Sequence, residues 1–149
     1  MDMDPEKFDS DKSMANWLNK STRALSTRLQ NVFTKSGFDV TAEQWMLLLI
    51  LWQKDGRFAF QMADIISKDR AAVTRLLDGL EKRKLIVRKK NHLDSRHKEI
   101  YLTPKGKALK DELIPIGVAN MQKALDGLSK EEIESTLAVL RKIYRNLTG

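Results

Sequence analysis

Between Lys68 and Gly106 the sequence switches period twice, and few folds accommodate that. Val73, Leu76, Leu77 and Leu80 recur at i, i+3, i+4, i+7, one face of a helix spanning Asp69 to Arg83. Asp69 precedes that face and can cap it, its carboxylate accepting from amides that have no partner in the first turn. The opposite face carries Arg70, Ala71, Thr74, Arg75 and Asp78. Leu85-Ile86-Val87-Arg88-Lys89-Lys90 then reads as a β-branched strand that turns basic, and Lys98-Glu99-Ile100-Tyr101-Leu102 alternates as a half-buried strand does. The polar residues Asn91 to His97 form the hairpin tip between them. Thr103-Pro104 opens another helix, with threonine as N-cap and proline at the first helical position. Helix, basic hairpin, helix predicts a winged helix-turn-helix: mainly α with a small β-hairpin wing, an α+β chain.

The charge distribution says what such a unit would bind. The chain carries 27 Lys+Arg against 20 Asp+Glu, a net charge of +7. Arg57 to Gly106 holds 13 of the cations and 6 of the acids, so the whole surplus lies there and the remaining residues balance. A concentrated basic segment is the footprint of a polyanion binder, here double-stranded DNA. The alternative is a solvated basic face without a partner. There are no cysteines, which removes disulfides, thiolate metal sites and thiol redox sensing together. The two histidines, His92 and His97, both fall in the hairpin tip and do not suggest a metal site. No apolar run reaches 18 residues, and the acidic N-terminus lacks the apolar core of a signal peptide, so we expect no membrane partner and a cytoplasmic protein.

The rest of the chain reads as helices around this unit. Residues 1 to about 5 are expected to fray. A long helix is expected from Glu6 to about Ser36, with Trp17, Leu18, Leu25, Leu29, Val32 and Phe33 at helical spacing and Gly37 as its stop. Thr41-Ala42-Glu43-Gln44 is a capping box. The helix it opens is apolar nearly all round from Met46 to Trp52, which predicts deep burial. Arg57-Phe58-Ala59 fits a short strand pairing with the hairpin. Phe60 to Ser67 fits a short helix with Met62, Ile65 and Ile66 facing in, and Ser67-Lys68 fits the turn. Pro115 and Gly117 predict a kink or break near Ile114, with the helix resuming to about Leu128. Ser129-Lys130-Glu131-Glu132 is a second capping box, and Ile133, Leu137, Leu140, Ile143, Tyr144 and Leu147 give the last helix an apolar face.

Several short strings in fixed order now point to a family. Asp94-Ser95-Arg96 followed by Leu102-Thr103-Pro104-Lys105-Gly106 resembles the D-x-R … L-T-x-x-G signature of the MarR family of bacterial transcription regulators. Val73-Thr74-Arg75-Leu76-Leu77-Asp78 with Leu80-Glu81-Lys82-Arg83 resembles that family's recognition helix, and the likeness extends through Thr41-Ala42-Glu43-Gln44-Trp45. One departure stands out: where the family has glycine in E-x-x-G-L, this chain has Lys84. Either the helix ends differently there, or a lysine tolerates a left-handed cap at roughly 1 kcal/mol.

The resemblance implies a homodimer with interwoven terminal helices. It divides the chain into an N-terminal dimerisation helix (1–36), a winged helix-turn-helix DNA-binding domain (37–106) and C-terminal dimerisation helices (103–149), within a single interwoven domain. In the recognition helix, Arg70, Ala71, Thr74 and Arg75 would face DNA. Arg75 could pair with guanine or only grip phosphate, while Thr74 and the Ala71 methyl could touch a thymine methyl. Lys68 would meet the backbone, and Lys89, Lys90 and Lys98 of the wing would do the same. If each half-site neutralises roughly three phosphates, the log-log salt slope of a dimer is about −5. The wing Arg96 would enter the minor groove, oriented by Asp94, because a narrow groove concentrates negative potential. The same pair could also simply close the turn. Family members often bind small aromatic anions, and Met14, Trp17, Trp45, Leu49 and Met62, with Arg23 as a carboxylate partner, are candidates for lining an effector pocket. These residues equally suit an ordinary core. No cofactor is expected beyond such a small aromatic or anionic effector.

The expected function is that of a sequence-specific, ligand-responsive dimeric repressor acting on a pseudo-palindromic operator. A winged-helix module working through protein contacts, or packaging DNA without sequence preference, is the alternative. An enzyme is not expected: the sequence offers no nucleophile–base constellation, no glycine-rich phosphate loop and no ligand cluster at metal spacing.

Overall fold

The computed structural model describes residues 4–94 and 96–149. Two 3-10 turns, Pro5–Lys7 and Ser10–Lys12, precede the first helix, α1 (Met14–Lys35). The helix expected from Glu6 therefore starts later. Asp9 caps the second turn, and the Ser13 hydroxyl accepts from the Asn16 amide to cap α1. Local side-chain acceptors thus divide what the apolar spacing alone joins. Fraying at residues 1 to 3 lies outside the described residues. Gly37, in the left-handed region, ends α1 as expected, with the Phe38 amide donating back to the Phe33 carbonyl.

α2 (Ala42–Gln53) opens with the predicted capping box, in which the Gln44 amide donates to the Thr41 hydroxyl and the Thr41 amide to Gln44 Oε1. Leu47, Leu48 and Leu51 are fully buried at its centre, but Met46 is 45% exposed, so the helix is not buried all round. β1 (Arg57–Phe58) pairs with the hairpin as expected. α3 (Ala59–Ile66) buries Met62 and Ala63, whereas Ile65 faces outward at 53% exposure, against expectation. Ser67, left-handed at φ +52°, makes the turn into α4 (Arg70–Lys82), capped by Asp69 through its bond from the Ala72 amide.

β2 (Ile86–Lys90) and β3 (Lys98–Leu102) form the wing, in sheet order β1-β3-β2, all antiparallel. Ile86 opposite Leu102 and Arg57 opposite Ile100 put the sheet's apolar side onto α4's Val73, Leu77 and Leu80, all fully buried. Between α4 and β2, Lys84 takes the position the family gives to glycine and holds φ +60°. The helix ends as the glycine would end it: the Leu85 amide donates to the Leu80 carbonyl and the Lys84 amide to that of Glu81. Thr103 holds the turn from the other side, its hydroxyl donating to the Lys84 carbonyl and its amide to that of Leu85. The strain is tolerated because contacts on both sides fix the backbone.

Of the kink or break expected near Ile114, the break does not occur: α5 (Pro104–Ala124) continues through Pro115. Pro115 sits on the exposed side, where water can serve the Asp111 carbonyl that its ring leaves unpaired. Gly117 has a packing role: a Cβ there would lie 2.4 Å from Trp45 Cζ2, so the glycine lets α5 lie against α2. The helix stops at Ala124 rather than near Leu128, and left-handed Gly127 turns the chain. α6 (Lys130–Thr148) has the second capping box and buries none of its residues within this chain. Among the described residues no helix is long and apolar enough to cross a membrane.

Candidate nucleic-acid interface

The recognition-helix candidates come out where the two-faced pattern of α4 puts them. With Val73, Leu77 and Leu80 turned into the core, Arg70, Ala71, Thr74 and Arg75 are all exposed near the helix start. Arg70 lies over the Phe60 ring at 5.9 Å, and the Thr74 hydroxyl donates back to the Arg70 carbonyl. Arg75 has no hydrogen bond or ion pair among the described residues. Lys68 is held by Glu43 at 3.2 Å, so its charge is shared before any partner arrives.

The wing tip is held by its own side chains. Asn91 Oδ1 accepts from the Leu93 and Asp94 amides, while its Nδ2 donates to Glu99. Asp94 in turn accepts from the Arg96 amide at 3.1 Å and from Arg96 Nε at 3.0 Å and Nη2 at 3.3 Å. These bonds, the side-chain one foremost and the backbone one next, hold the Asp94 carboxyl below the usual aspartate range. Ser95 of the D-x-R string lies outside the described residues. Arg96 itself is 85% exposed at the side chain, oriented but not buried. Lys89 lies over Tyr101 at 5.2 Å, and Lys90 and Lys98 end the paired strands on the exposed side. The Tyr101 hydroxyl donates to Glu99, and this bond keeps its proton on above the usual tyrosine range.

Helix and wing meet around a groove of about 280 Å³ lined by Arg70, Thr74, Arg88, Arg96, Lys98 and the stacked rings of Phe58 and Phe60. Two groups here were missed at the sequence level. One is the ring cluster of Phe58, Phe60 and His97, whose members come from separate elements. The other is Arg88, whose guanidinium reaches Asp78 at 2.8 Å and Glu81 at 3.4 Å. Acids at i and i+3 on a helix, followed by an arginine just past its end, were the available signal.

The effector candidates do not share one place. Trp45 and Leu49 line a crevice of about 360 Å³ between α1, α2 and α5. Met62 is fully buried in the core instead. Met14 and Trp17 are exposed at the start of α1, and Arg23 is exposed on the same helix; none of the three lines the crevice. Its polar members are Ser26 and Asn120, and Asn120 accepts from Arg28 Nη1 at 2.6 Å and donates to the Leu25 carbonyl.

A three-helix unit with a β-hairpin against its third helix, basic along the exposed edge, is a winged helix-turn-helix. Residues 40–98 match the model of the MarR family. The HTH-type transcriptional regulator MhqR of Bacillus subtilis is 26% identical over 129 residues, covering 87% of this chain and 88% of the relative. The S. aureus MepR–DNA complex superimposes with a TM-score of 0.82 at 27% identity, over 90% of this chain and 98% of that one. A Listeria monocytogenes protein described as a MarR family transcriptional regulator, complexed with 26mer DNA, gives a TM-score of 0.82 at 25% identity, over 91% and 89%. Residues 40–98 thus carry a likeness to the MarR family, and most of the chain is similar to transcriptional regulators of that kind.

Proposed function

We propose that the chain acts as a homodimeric repressor of a pseudo-palindromic operator, released when a small effector occupies the crevice between α1, α2 and α5. The observation that carries the DNA half is that unengaged Arg75 and pre-oriented Arg96 project from two elements packed on one another, with Thr74 and Arg70 around the same groove. In this reading α4 enters the major groove. Arg75 pairs with guanine O6 and N7, and Thr74 and Ala71 contact a thymine methyl. Arg96 enters the flanking minor groove, its fork aligned by Asp94. Lys68, Lys89, Lys90 and Lys98 neutralise phosphates, fixing register rather than sequence.

The dimer is supported by apolar surface that one chain leaves uncovered. Met14, Trp17 and Leu18 of α1, Val118 and Met121 of α5 and Leu137, Leu140, Tyr144 and Leu147 of α6 are all exposed. Such a surface, spread over both ends of the sequence, fits a second copy. A two-fold axis through these helices would set the recognition helices about 34 Å apart, in successive major grooves. The crevice supports the effector: its wall is apolar, with Trp45 as a stacking plane and Asn120 as a hydrogen-bonding group, and it joins the helices bearing the exposed surface to α2 of the DNA-binding unit. An effector that favours a helix spacing mismatched to DNA would release it.

The test is fluorescence anisotropy on a duplex selected in vitro from a random library, against its shuffled sequence, at two salt concentrations. A preference of at least 1000-fold, with a log-log salt slope near −5, is expected. Equal, strongly salt-dependent binding to both duplexes would instead mark a packaging protein. A specific complex whose affinity no small molecule alters would remove the effector.

A further inference from the structure

The two elements proposed to read DNA are separate in sequence, and one side chain ties them together. Arg88 lies on β2, opposite Ile100, and lines the groove between helix and wing. Its Nη2 donates to Asp78 Oδ1 at 2.8 Å and its Nη1 lies 3.4 Å from Glu81 Oε2, both acids being on α4 one turn apart. The arginine is 20% exposed at its side chain, while the two carboxylates are 60% and 44% exposed. The cation is therefore the covered partner. Its fork points along the helix, not outward to solvent as Arg96 does.

A planar guanidinium bonded at both ends restricts rotation between the groups it joins more than a point charge would. The turn through left-handed Lys84 and the apolar packing of Ile86 beneath α4 join the same two elements but leave the outer edge, where Arg88 lies, to this clamp. We infer that Arg88 is a positioning residue for DNA recognition, fixing the wing's angle on the recognition helix through Asp78 and Glu81 and so setting the span between Arg75 and Arg96. The inference rests on the reading that both elements touch one duplex. It separates Arg88 from the phosphate-binding cations, although all are basic and share one edge.

Charge alone and positioning predict opposite results for one variant. Asp78→Asn/Glu81→Gln removes two negative charges beside the DNA face. If charge decides, it binds every duplex more tightly. If the clamp decides, binding to the selected duplex weakens about fivefold per half-site while binding to shuffled duplex holds or rises, so the specificity ratio falls. Arg88→Lys keeps the charge without the fork. Positioning predicts that it loses specificity as the double variant does, with the salt slope within one unit of wild type. A phosphate contact predicts near-wild-type binding by Arg88→Lys, and for Arg88→Met a slope shallower by about 2 for the dimer. Unchanged melting confirms that each variant is folded, and amide exchange in β2 and β3 should rise in both clamp variants. Tighter binding by the double variant at an unchanged specificity ratio, or wild-type behaviour of Arg88→Lys, overturns the inference. A wild-type protein with no preference for the selected duplex overturns the DNA reading beneath it.

Discussion

The winged unit and the last helix, α6, follow different rules of completion. From Leu29 to Leu113 the chain closes one core, the winged unit's Leu47, Leu48, Leu51, Met62, Val73, Leu77, Leu80, Ile86 and Ile100 lying near zero exposure together with Phe33 of α1 and Leu113 of α5. α6 has equally regular apolar spacing and two-faced character, yet buries no residue in this chain. The same periodicity therefore means two things. In α4 it names a face that neighbours in sequence will cover, and in α6 it names a face that waits for something else. The winged unit is therefore stabilised within one chain, whereas in the proposed dimer the spacing of two such units would depend on surface a single copy leaves open.

Single and double substitutions probe each side of that division. The largest effect is expected at Gly106, where a Cβ would lie 2.1 Å from the Leu85 carbonyl oxygen. Gly106→Ala forces α5 off the wing and should cost roughly 3 kcal/mol or more of stability in urea unfolding. Next, Leu137→Glu/Leu140→Glu on α6 should raise the dimer dissociation constant about a hundredfold, near 2.7 kcal/mol, by sedimentation, and leave the spectrum of the winged unit intact. Arg96→Ala should weaken specific DNA binding about tenfold without altering the melting temperature, because its side chain is exposed and its partner Asp94 is local. Lys84→Gly should stabilise by about 1 kcal/mol, since it relieves the left-handed backbone while keeping both closing hydrogen bonds. The smallest effect is in titration. Tyr101 is held protonated by Glu99, so in a Tyr144→Phe background its absorbance midpoint should lie above that of free tyrosine. Its contribution is full below the ordinary tyrosine value and disappears as pH rises through the raised one, and Glu99→Gln should return the midpoint toward normal.

Much of the winged unit was legible because its signals are local. Asp69, Thr41 and Ser129 cap helices through bonds that span three residues, and the hairpin strands declare themselves by alternation. The wing pair Asp94 and Arg96 was legible for the same reason, being two residues apart. What failed was non-local or hidden by competition. The Ser13 cap and the 3-10 turns interrupt an apolar stripe that alone would run back to Glu6. Pro115 predicts a break only if nothing holds the helix, and packing of Gly117 on Trp45 holds it. Ile65 obeys the helical period yet points outward, because α3 is short and covered on one side. The effector candidates scattered because hydrophobic residues look alike in sequence: Met62 became core, Trp45 and Leu49 became a crevice wall, and Trp17 and Met14 stayed on the surface. Arg88 was hidden among neighbouring lysines, and only its two carboxylates mark it as different.

Amide hydrogen exchange of the full chain at two protein concentrations tests the division most directly. Protection of α4, β2 and β3 should be independent of concentration, while protection of α6 should fall on dilution as dimers separate. Protection of α6 that persists at every concentration, or that falls together with α4, would contradict the account.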